Sequence, residues 1–259
     1  MLIDSHVNLH HEQFREDQAE VIARARAAGV GLMVTISDKV STFDAVHAIA
    51  MAHDDIWATV GTHPHEAKEN PALKAETLID LAGRPKVIGI GECGLDFHYD
   101  LSPRDIQAAV FREHARAARE TSLPLVVHTR EADDAMGDIL EEEMAKGPFK
   151  LLMHCYTSGP ELAARAADMG AYFSVSGIAT FKTAEEVRDL IRAMPADRII
   201  LETDCPYLAP APMRGRRNEP AFLPHILEKL AEIRGWSREE AERRTEDAFF
   251  RIFDRIPRP

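Results

Sequence analysis

The amino-acid sequence predicts a (β/α)8 TIM barrel, and three observations support that fold class. Eight short apolar segments alternate with segments of helical spacing along the whole chain, and strands that alternate with helices in this way form a parallel sheet. The length of 259 residues fits eight such units. No linker, low-complexity segment or change of composition interrupts them. Residues 1–259 are therefore expected to form a single domain.

An open, doubly wound sheet is the alternative architecture. A dinucleotide site on such a sheet would need a G-x-G-x-x-G turn after the first strand. The chain has no such turn there and continues instead with His6-Val-Asn8-Leu-His10. We therefore favour the barrel, in which the active site lies at the C-terminal ends of the strands.

The predicted strands are short apolar runs, and most of them end in a polar residue. They are Leu2–His6, Val30–Ser37, Ile56–Gly61, Lys86–Glu92, Leu123–His128, Phe149–His154, Ala171–Ser176 and Arg198–Asp204. The predicted helices between them have apolar residues at helical spacing. They are Gln18–Ala28, Ser41–His53, Ala72–Ala82, Ser102–Thr121, Ala132–Ala145, Pro160–Met169 and Ala184–Ala193. A loop rich in proline and arginine, Pro206–Pro220, then leads to two closing helices, Phe222–Arg234 and Ser237–Ile252.

Local residues support several of these boundaries. Gly29 follows the first predicted helix, where a glycine readily adopts the left-handed conformation that ends a helix. Gly83-Arg84-Pro85 ends the third predicted helix. Ser102-Pro103 opens the fourth, with serine and proline in the cap and first-turn positions.

Six of the eight predicted strand ends carry an imidazole or a carboxylate. These ends supply His6 with Asn8, His63 with His65, Glu92, His128, His154 and Asp204. Taken singly, each could be a hydrogen-bonded core or turn residue. A carboxylate such as Glu92 at the end of an apolar strand is costly, however, unless a partner compensates its charge. Imidazoles and carboxylates gathered on one rim of a barrel are typical of a divalent-metal hydrolase, so we predict a metal centre around Glu92.

Composition limits the classes of function that remain. The chain is 45% apolar and 29% charged, which is ordinary for a globular protein. The formal net charge of −12 argues against binding nucleic acid through a broad basic surface, so a polyanion would have to be held locally. No run approaches the ~18 apolar residues of a membrane span, and no secretory signal is visible. We therefore expect a cytoplasmic protein without a membrane partner, and we favour a monomer.

Seven motifs in order carry a resemblance to a known family. They are Ile3-Asp-Ser-His6, Gly61-Thr-His63-Pro-His65, Gly91-Glu92-Cys-Gly-Leu-Asp96-Phe-His98, Val127-His128-Thr-Arg130, Met153-His154-Cys-Tyr156, Glu202-Thr-Asp204-Cys-Pro-Tyr207-Leu and Arg214-Gly-Arg-Arg217-Asn-Glu-Pro220. With these motifs the chain resembles the TatD family of metal-dependent hydrolases, within the amidohydrolase-like barrels. Any one motif is only moderately specific, but the ordered set is highly specific and covers nearly the whole chain.

The resemblance implies a deoxyribonuclease that uses one or two divalent ions, Mg²⁺ or Mn²⁺ with Zn²⁺ as the alternative, and acts as a 3′→5′ exonuclease. It implies that His6, Glu92 and Asp204 hold a first ion, and that Glu92 bridges to a second ion. The second ion would be bound by His128 and His154.

The resemblance also implies roles in catalysis and substrate binding. Asp204 and Glu92 would be the catalytic residues, with Asp204 accepting the proton of the attacking water. The residues expected to contact the substrate are His63, His65, Arg130, Arg214 and Arg217. Asp96 is expected either to shape the turn after the fourth strand or to orient a neighbouring histidine.

Asn8 is the one departure from the family pattern, which has a histidine at that position. Residues i and i+2 of a strand face the same side, so Asn8 is expected to point toward the metal with His6. An amide oxygen is a weaker ligand than imidazole and favours Mg²⁺ or Mn²⁺ over Zn²⁺. Our hypothesis is that the first metal position is weakened, so that the protein is isolated with one ion or with none.

Three functions stay open on the sequence alone. The first is the nuclease, which the basic loop Arg214–Arg217 favours. The second is a hydrolase of the same architecture that acts on a small amide, a small ester or a mischarged aminoacyl-tRNA. The third is a catalytically weakened protein that binds nucleic acid, which Asn8 would suggest and which the retained Glu92 and Asp204 argue against.

Overall fold

Eight parallel strands follow one another around a barrel in the computed structural model, which describes residues 1–258. The strands are β1 (Leu2–Val7), β2 (Val30–Thr35), β3 (Ile56–Val60), β4 (Val87–Asp96), β5 (Leu125–Arg130), β6 (Leu151–Met153), β7 (Tyr172–Val175) and β8 (Ile199–Leu201). Each strand pairs in parallel with the next along the chain. The seam between β8 and β1 is closed by a parallel bridge from Val7 to Cys205. The predicted barrel is confirmed.

The helices lie between successive strands and after the last one. They are α1 (Gln18–Ala27), α2 (Phe43–Ala52), α3 (Ala75–Ala82), α4 (Arg104–Thr121), α5 (Asp133–Ala145), α6 (Pro160–Asp168), α7 (Glu185–Ala193), α8 (Leu223–Arg234) and α9 (Arg238–Ile252). No helix of residues 1–258 is long and apolar enough to cross a bilayer.

Alternate residues of the strands divide the apolar core into two layers. One layer packs under the surrounding helices. The other contains Val126, Leu152 and Ile200 and packs against Phe249 of α9 and Phe253, which follows that helix. Because side chains alternate along a strand, His128, His154 and Glu202 follow these inner residues at the same parity. The strand periodicity therefore turns their side chains toward the barrel axis.

Strand β4 is longer than predicted, because it continues past Glu92 to Asp96. Its pairing with β5 shifts between Ile90 and Cys93 and then resumes, with Gly94 opposite His128. Gly94 has a φ of +139°, and a Cβ there would overlap the carbonyl oxygen of His128. A glycine is therefore required for β4 and β5 to stay paired at the active rim.

Strands β6 and β8 are shorter than predicted, so His154, Glu202 and Asp204 lie just beyond them. Asp204 has a left-handed φ of +55°, which is incompatible with a strand. Its backbone N–H donates to the carbonyl of His6 at 3.0 Å, which ties the end of β8 to the end of β1.

Helices α2, α3 and α4 begin two or three residues later than predicted, and the other helix ends agree within one residue. The reason is clearest at α4, where Ser102 was expected to cap the helix. The Ser102 hydroxyl instead donates to the carbonyl of His65 at 2.8 Å and accepts from the N–H of Lys68. Ser102 therefore stabilises the loop that carries His65, and the helix begins after Pro103.

Candidate metal centre

Glu92 lies at the middle of a cluster of four imidazoles supplied by four different strand ends. Its Oε1 is 3.3 Å from His128 Nδ1, 3.3 Å from His154 Nε2 and 3.5 Å from His63 Nε2. Its Oε2 is 3.2 Å from His6 Nε2. Burial would raise the pKa of Glu92, but its interactions with these imidazoles, His154 first, outweigh burial and hold that pKa well below its usual value. The cluster therefore keeps an ionised carboxylate in a buried place.

The hydrogen bonds of His128 and His154 leave one ring nitrogen of each aimed at Glu92. His128 Nε2 donates to Asp96 at 3.0 Å, and His154 Nδ1 donates to Glu202 at 3.0 Å. A carboxylate that holds the far nitrogen of a histidine in this way is the common support of a metal-ligating imidazole. These carboxylates and Glu92 also outweigh burial and raise the pKa of both histidines, so metal binding would release protons.

His63 has the opposite arrangement of its ring nitrogens. Its Nδ1 accepts the backbone N–H of His65 at 3.1 Å, so the proton of the neutral ring must be on Nε2, which faces Glu92. Burial lowers the pKa of His63 to about 3, which keeps the ring neutral. His63, Glu92 and His128 lie close enough to be grouped as possible ligands. The protonated Nε2, however, makes His63 a hydrogen-bond donor rather than a ligand.

His6 is buried, and neither of its ring nitrogens makes a hydrogen bond of good geometry. Its ring stacks on that of His154 with centroids 3.7 Å apart. Two atoms that bind one ion at about 2.1 Å are about 3.0 to 3.4 Å apart. The separations of His6, His128 and His154 from Glu92, 3.2 to 3.3 Å, match that spacing. An unpartnered buried imidazole and these distances fit a divalent ion.

Asp204 and Asn8 complete the side of the cluster next to His6. Asp204 Oδ1 lies 3.7 Å from His6 Nε2. Burial raises the pKa of Asp204 to about 6, although the imidazoles of His154 and His6 partly offset it. Asn8 Nδ2 donates to the carbonyl of Cys205 at 3.1 Å and lies 3.5 Å from Asp204 Oδ1. Because a carbonyl can only accept, the amide group that faces Asp204 is the NH₂, and ligation through the amide oxygen stays a prediction that requires the amide to turn over.

Asp96 both shapes the turn after β4 and orients neighbouring histidines, two roles that were expected as alternatives. Its Oδ1 accepts the backbone N–H groups of His98 and Tyr99, which shapes the turn after β4. Its Oδ2 accepts Nε2 of His65 and Nε2 of His128, each at 3.0 Å. These hydrogen bonds outweigh the effect of burial and lower the pKa of Asp96. A single buried carboxylate therefore orients two imidazoles of the site.

The three arginines expected to contact the substrate are placed differently. Arg130 ends β5 and lies over the ring of Tyr99, with its guanidinium carbon 4.8 Å from the ring centre. Arg214 is exposed and lies over Phe181 at 3.9 Å. Arg217 instead forms a paired contact with Asp17, at 2.8 and 2.6 Å. Its guanidinium is engaged by Asp17 within the protein, and its contact with the substrate stays a prediction.

Glu202 is a residue of the site that the strand-end pattern did not identify. It is fully buried, and it binds Nδ1 of His154 through its carboxylate. The charge of His154 outweighs burial and lowers the pKa of Glu202. Glu202 lies two residues after Ile200, an inner residue of β8, so the two side chains face the same side of the strand. This spacing is the sequence feature that could have identified Glu202.

His114 of α4 supports the site from behind. It is fully buried, its Nε2 accepts the backbone N–H of Thr62 at 2.9 Å, and its Nδ1 donates to the carbonyl of Val110. Because Nε2 accepts a hydrogen bond, it carries no proton, and the ring is neutral with its proton on Nδ1. Thr62 directly precedes His63, so His114 holds the main chain of the loop from which His63 and His65 project.

Burial lowers the pKa of His114 to about 4, which predicts a pH-dependent stability. The contribution of the neutral ring is fully present above the unfolded pKa of about 6.5 and is lost as the pH falls toward 4. Between pH 7 and pH 5 we expect the native protein to lose about 2 kcal/mol more unfolding free energy than a His114→Gln variant. Glutamine offers Thr62 an acceptor but does not titrate.

Urea unfolding of both proteins at the two pH values measures this difference. The contributions of the other titrating groups cancel between the two proteins. Equal losses of unfolding free energy in the two proteins between pH 7 and pH 5 would show that the pKa of His114 is not lowered in the folded protein.

Comparisons with known proteins extend over the whole barrel. A sequence model of the family described as TatD related DNase matches residues 3–254. The uncharacterized metal-dependent hydrolase YabD of Bacillus subtilis is 37% identical over 253 residues, which are 98% of this chain and 99% of that protein. The 3′-5′ ssDNA/RNA exonuclease TatD of Pantoea ananatis is 38% identical over 262 residues, which are 98% of this chain and 100% of that protein. Among solved structures, the TatD homolog YJJV of Escherichia coli has a TM-score of 0.90 at 25% identity and covers 99% of this chain and 98% of its own.

Proposed function

The chain belongs to the TatD family of metal-dependent hydrolases, and on that premise we propose that it cleaves phosphodiester bonds of DNA as a 3′→5′ exonuclease with Mg²⁺ or Mn²⁺. The observation that carries the proposal is the buried cluster in which Glu92 faces His6, His128 and His154. The exonuclease of Pantoea ananatis, which is similar over the full length, supports the choice of substrate.

The protein's own side chains have distinct tasks in this proposal. His6, Glu92, Asp204, His128 and His154 would hold one or two ions. A bound divalent ion lowers the pKa of a water and offsets the charge that builds up on the phosphoryl oxygens. Asp204 accepts the proton of the attacking water, which is general-base catalysis.

The remaining tasks concern orientation and substrate contact. Asp96 and Glu202 fix the rings of His128 and His154 by accepting their far N–H groups. The Nε2–H of His63 is available to donate to a phosphoryl oxygen, and Arg130 carries a positive charge at the same rim. His65 is held by Asp96 beside them.

End-labelled oligonucleotides test the proposed direction and substrate. Single- and double-stranded DNA and RNA, labelled at either end, are incubated with Mg²⁺, Mn²⁺, Zn²⁺ or a chelator. We expect a ladder from 5′-labelled DNA, immediate release of a mononucleotide from 3′-labelled DNA, and no cleavage with the chelator. Internal cuts, or inertness toward every polynucleotide together with turnover of a small ester or an aminoacyl-tRNA, would contradict the proposal.

Asn8 leads to a prediction about the number of ions. Its NH₂ group faces Asp204 and cannot bind a cation, so the position beside His6 lacks one ligand. An Asn8→His variant is expected to bind its first-position ion at least about tenfold more tightly, in line with the effect of one ligand or supporting group. Calorimetric titration with Mn²⁺ measures the affinity and the number of ions.

An Asn8→Ala variant is the matched control, because it removes the amide without adding a ligand. It should not bind the ion more tightly than the native protein. Two tightly held ions in native protein prepared without chelator would overturn the hypothesis of a weakened position.

A further inference from the structure

Two tyrosines at the active rim are unusually exposed. Tyr99 keeps 54% of its surface exposed and Tyr207 keeps 50%, and among the large apolar side chains of residues 1–258 only Met51 and Leu101 are exposed to the same degree. Tyr99 follows the end of β4, and Tyr207 follows the end of β8. In a barrel whose strands run in the order β1 to β8, these two strands lie on opposite sides of the axis. The tyrosines therefore flank the Glu92 cluster from opposite sides.

Tyr99 is fixed in place beside two residues expected to contact phosphate. Its backbone N–H donates to Asp96 at 2.9 Å, and its ring meets that of His65 edge to face with centroids 5.4 Å apart. The Arg130 guanidinium lies over the ring. The His98 ring also meets it edge to face, with centroids 4.8 Å apart, and the exposed part of the Tyr99 ring is left open to a flat ligand. A positive charge and an exposed aromatic ring thus lie together.

Tyr207 is fixed in a similar way on the other side. Its backbone N–H donates to the carbonyl of Asp204 at 3.1 Å, and its hydroxyl lies 3.0 Å from His11 Nε2. Its ring meets that of His11 edge to face, with centroids 5.6 Å apart. The chain therefore holds this exposed ring three residues from Asp204.

The net negative charge of the protein favours a way of holding a polyanion that does not depend on opposite charge. The net charge is −12, and Arg217 of the basic loop is engaged by Asp17. An excess of negative charge opposes a polyanion, so counterion release is expected to supply little of the affinity. Stacking of bases on aromatic rings is independent of the sequence and does not depend on opposite charge.

We propose that Tyr99 and Tyr207 are stacking platforms for the nucleobases on the two sides of the scissile phosphate. This inference rests on the proposed nuclease function. In a duplex both faces of a base are covered by its neighbours, so only an unpaired strand can offer bases to the two rings. The rings would supply affinity and register, and the Glu92 cluster would supply the chemistry.

Kinetics on two matched oligonucleotides test the inference. One is an oligothymidylate, and the other has the same phosphodiester backbone with abasic residues. We expect Tyr99→Ala and Tyr207→Ala each to raise KM for the oligothymidylate by about 5- to 150-fold, the effect of removing a base-stacking ring. On the abasic strand KM should not change, and kcat should change little on either substrate. Tyr99→Trp and Tyr207→Trp should restore the native KM on the oligothymidylate.

Binding gives a second readout that does not depend on turnover. Fluorescence anisotropy with a labelled oligothymidylate in chelator should show the same losses of affinity, and a shallow dependence of Kd on salt. Met51→Ala is the control, because Met51 is 52% exposed but lies on α2, away from the rim. It should leave both readouts unchanged.

The outcomes separate this inference from the function on which it rests. If the native protein cleaves neither strand, the nuclease proposal fails. If the native protein cleaves the oligothymidylate and the alanine variants bind and cleave it equally well, the stacking role is wrong. Equal losses on the abasic strand would also overturn it, because they would indicate a structural effect.

Discussion

Replacing Asp204 with asparagine is expected to reduce hydrolysis by about 10²- to 10⁴-fold, which is the usual contribution of a general base. The variant cannot accept the proton of the attacking water, because an amide is not a base. Asparagine has nearly the same shape, so the hydrogen bond from the Asp204 backbone to His6 and the closure of the barrel should persist. Initial rates on single-stranded DNA, together with thermal unfolding, measure both parts of the expectation.

The pH dependence of the native enzyme gives an independent check on Asp204. Burial raises the pKa of this carboxyl to about 6 in the protein without metal, and a bound cation would lower it. A base must be ionised to act, so kcat/KM should fall tenfold per pH unit below a pKa at or under 6. The Asp204→Asn variant should not show that limb of the profile.

An aspartate at the opposite end of the barrel provides the control for this substitution. Asp55 precedes β3 and pairs with Arg26 at 2.7 Å, away from the metal centre. Asp55→Asn should leave the rate unchanged. Turnover by Asp204→Asn at the native rate would refute its role as the base.

The barrel could be predicted from the sequence because each unit carries its own local pattern. Apolar runs such as Leu125–Val127 and Leu151–Met153 end directly before a histidine, and the parity of a strand then decides which way that histidine points. The convergence on Glu92 followed from the fold alone, since all strands of a parallel barrel end at the same rim.

Partners joined by long-range contacts could not be predicted in the same way. Glu202 orients His154, which is 48 positions away, and Asp96 orients His65 and His128, which are 31 and 32 positions away. Nothing local distinguishes such a carboxylate from one in a turn. The tautomer that makes His63 a donor likewise depends on a backbone N–H whose direction only the folded loop defines.

The basic loop after β8 shows the limit of reading charge from sequence. Arg214 and Arg217 belong to one motif, yet Arg214 stays exposed while Arg217 pairs with Asp17. Asp17 comes from the segment before α1, nearly the whole chain away. A run of arginines therefore indicates positive charge without saying how much of it is free for a ligand.

Replacing Glu92 with glutamine is expected to abolish both metal binding and hydrolysis. Glu92 is the one anion shared by His6, His63, His128 and His154. Ligand binding at 100 times Kd stabilises a protein by about 2.7 kcal/mol, so Mn²⁺ at that level should raise the melting temperature of the native protein by about 5 to 10 °C. With glutamine the cluster keeps its imidazoles but loses the charge that pairs with a cation, and the same Mn²⁺ should leave the melting temperature unchanged.

A second buried glutamate tests whether this loss is specific to the metal centre. Glu143 of α5 is 2% exposed and is held by Lys146 at 2.6 Å and by Arg112 at 3.1 Å, outside the metal centre. Removing its charge leaves Lys146 without this partner and Arg112 with Glu142 alone, so Glu143→Gln should lower the melting temperature without metal. Mn²⁺ should still stabilise the variant fully. Stabilisation of Glu92→Gln by Mn²⁺ to the native extent would mean that the ion is held without Glu92, and that the imidazoles gather around this carboxylate for a structural reason alone.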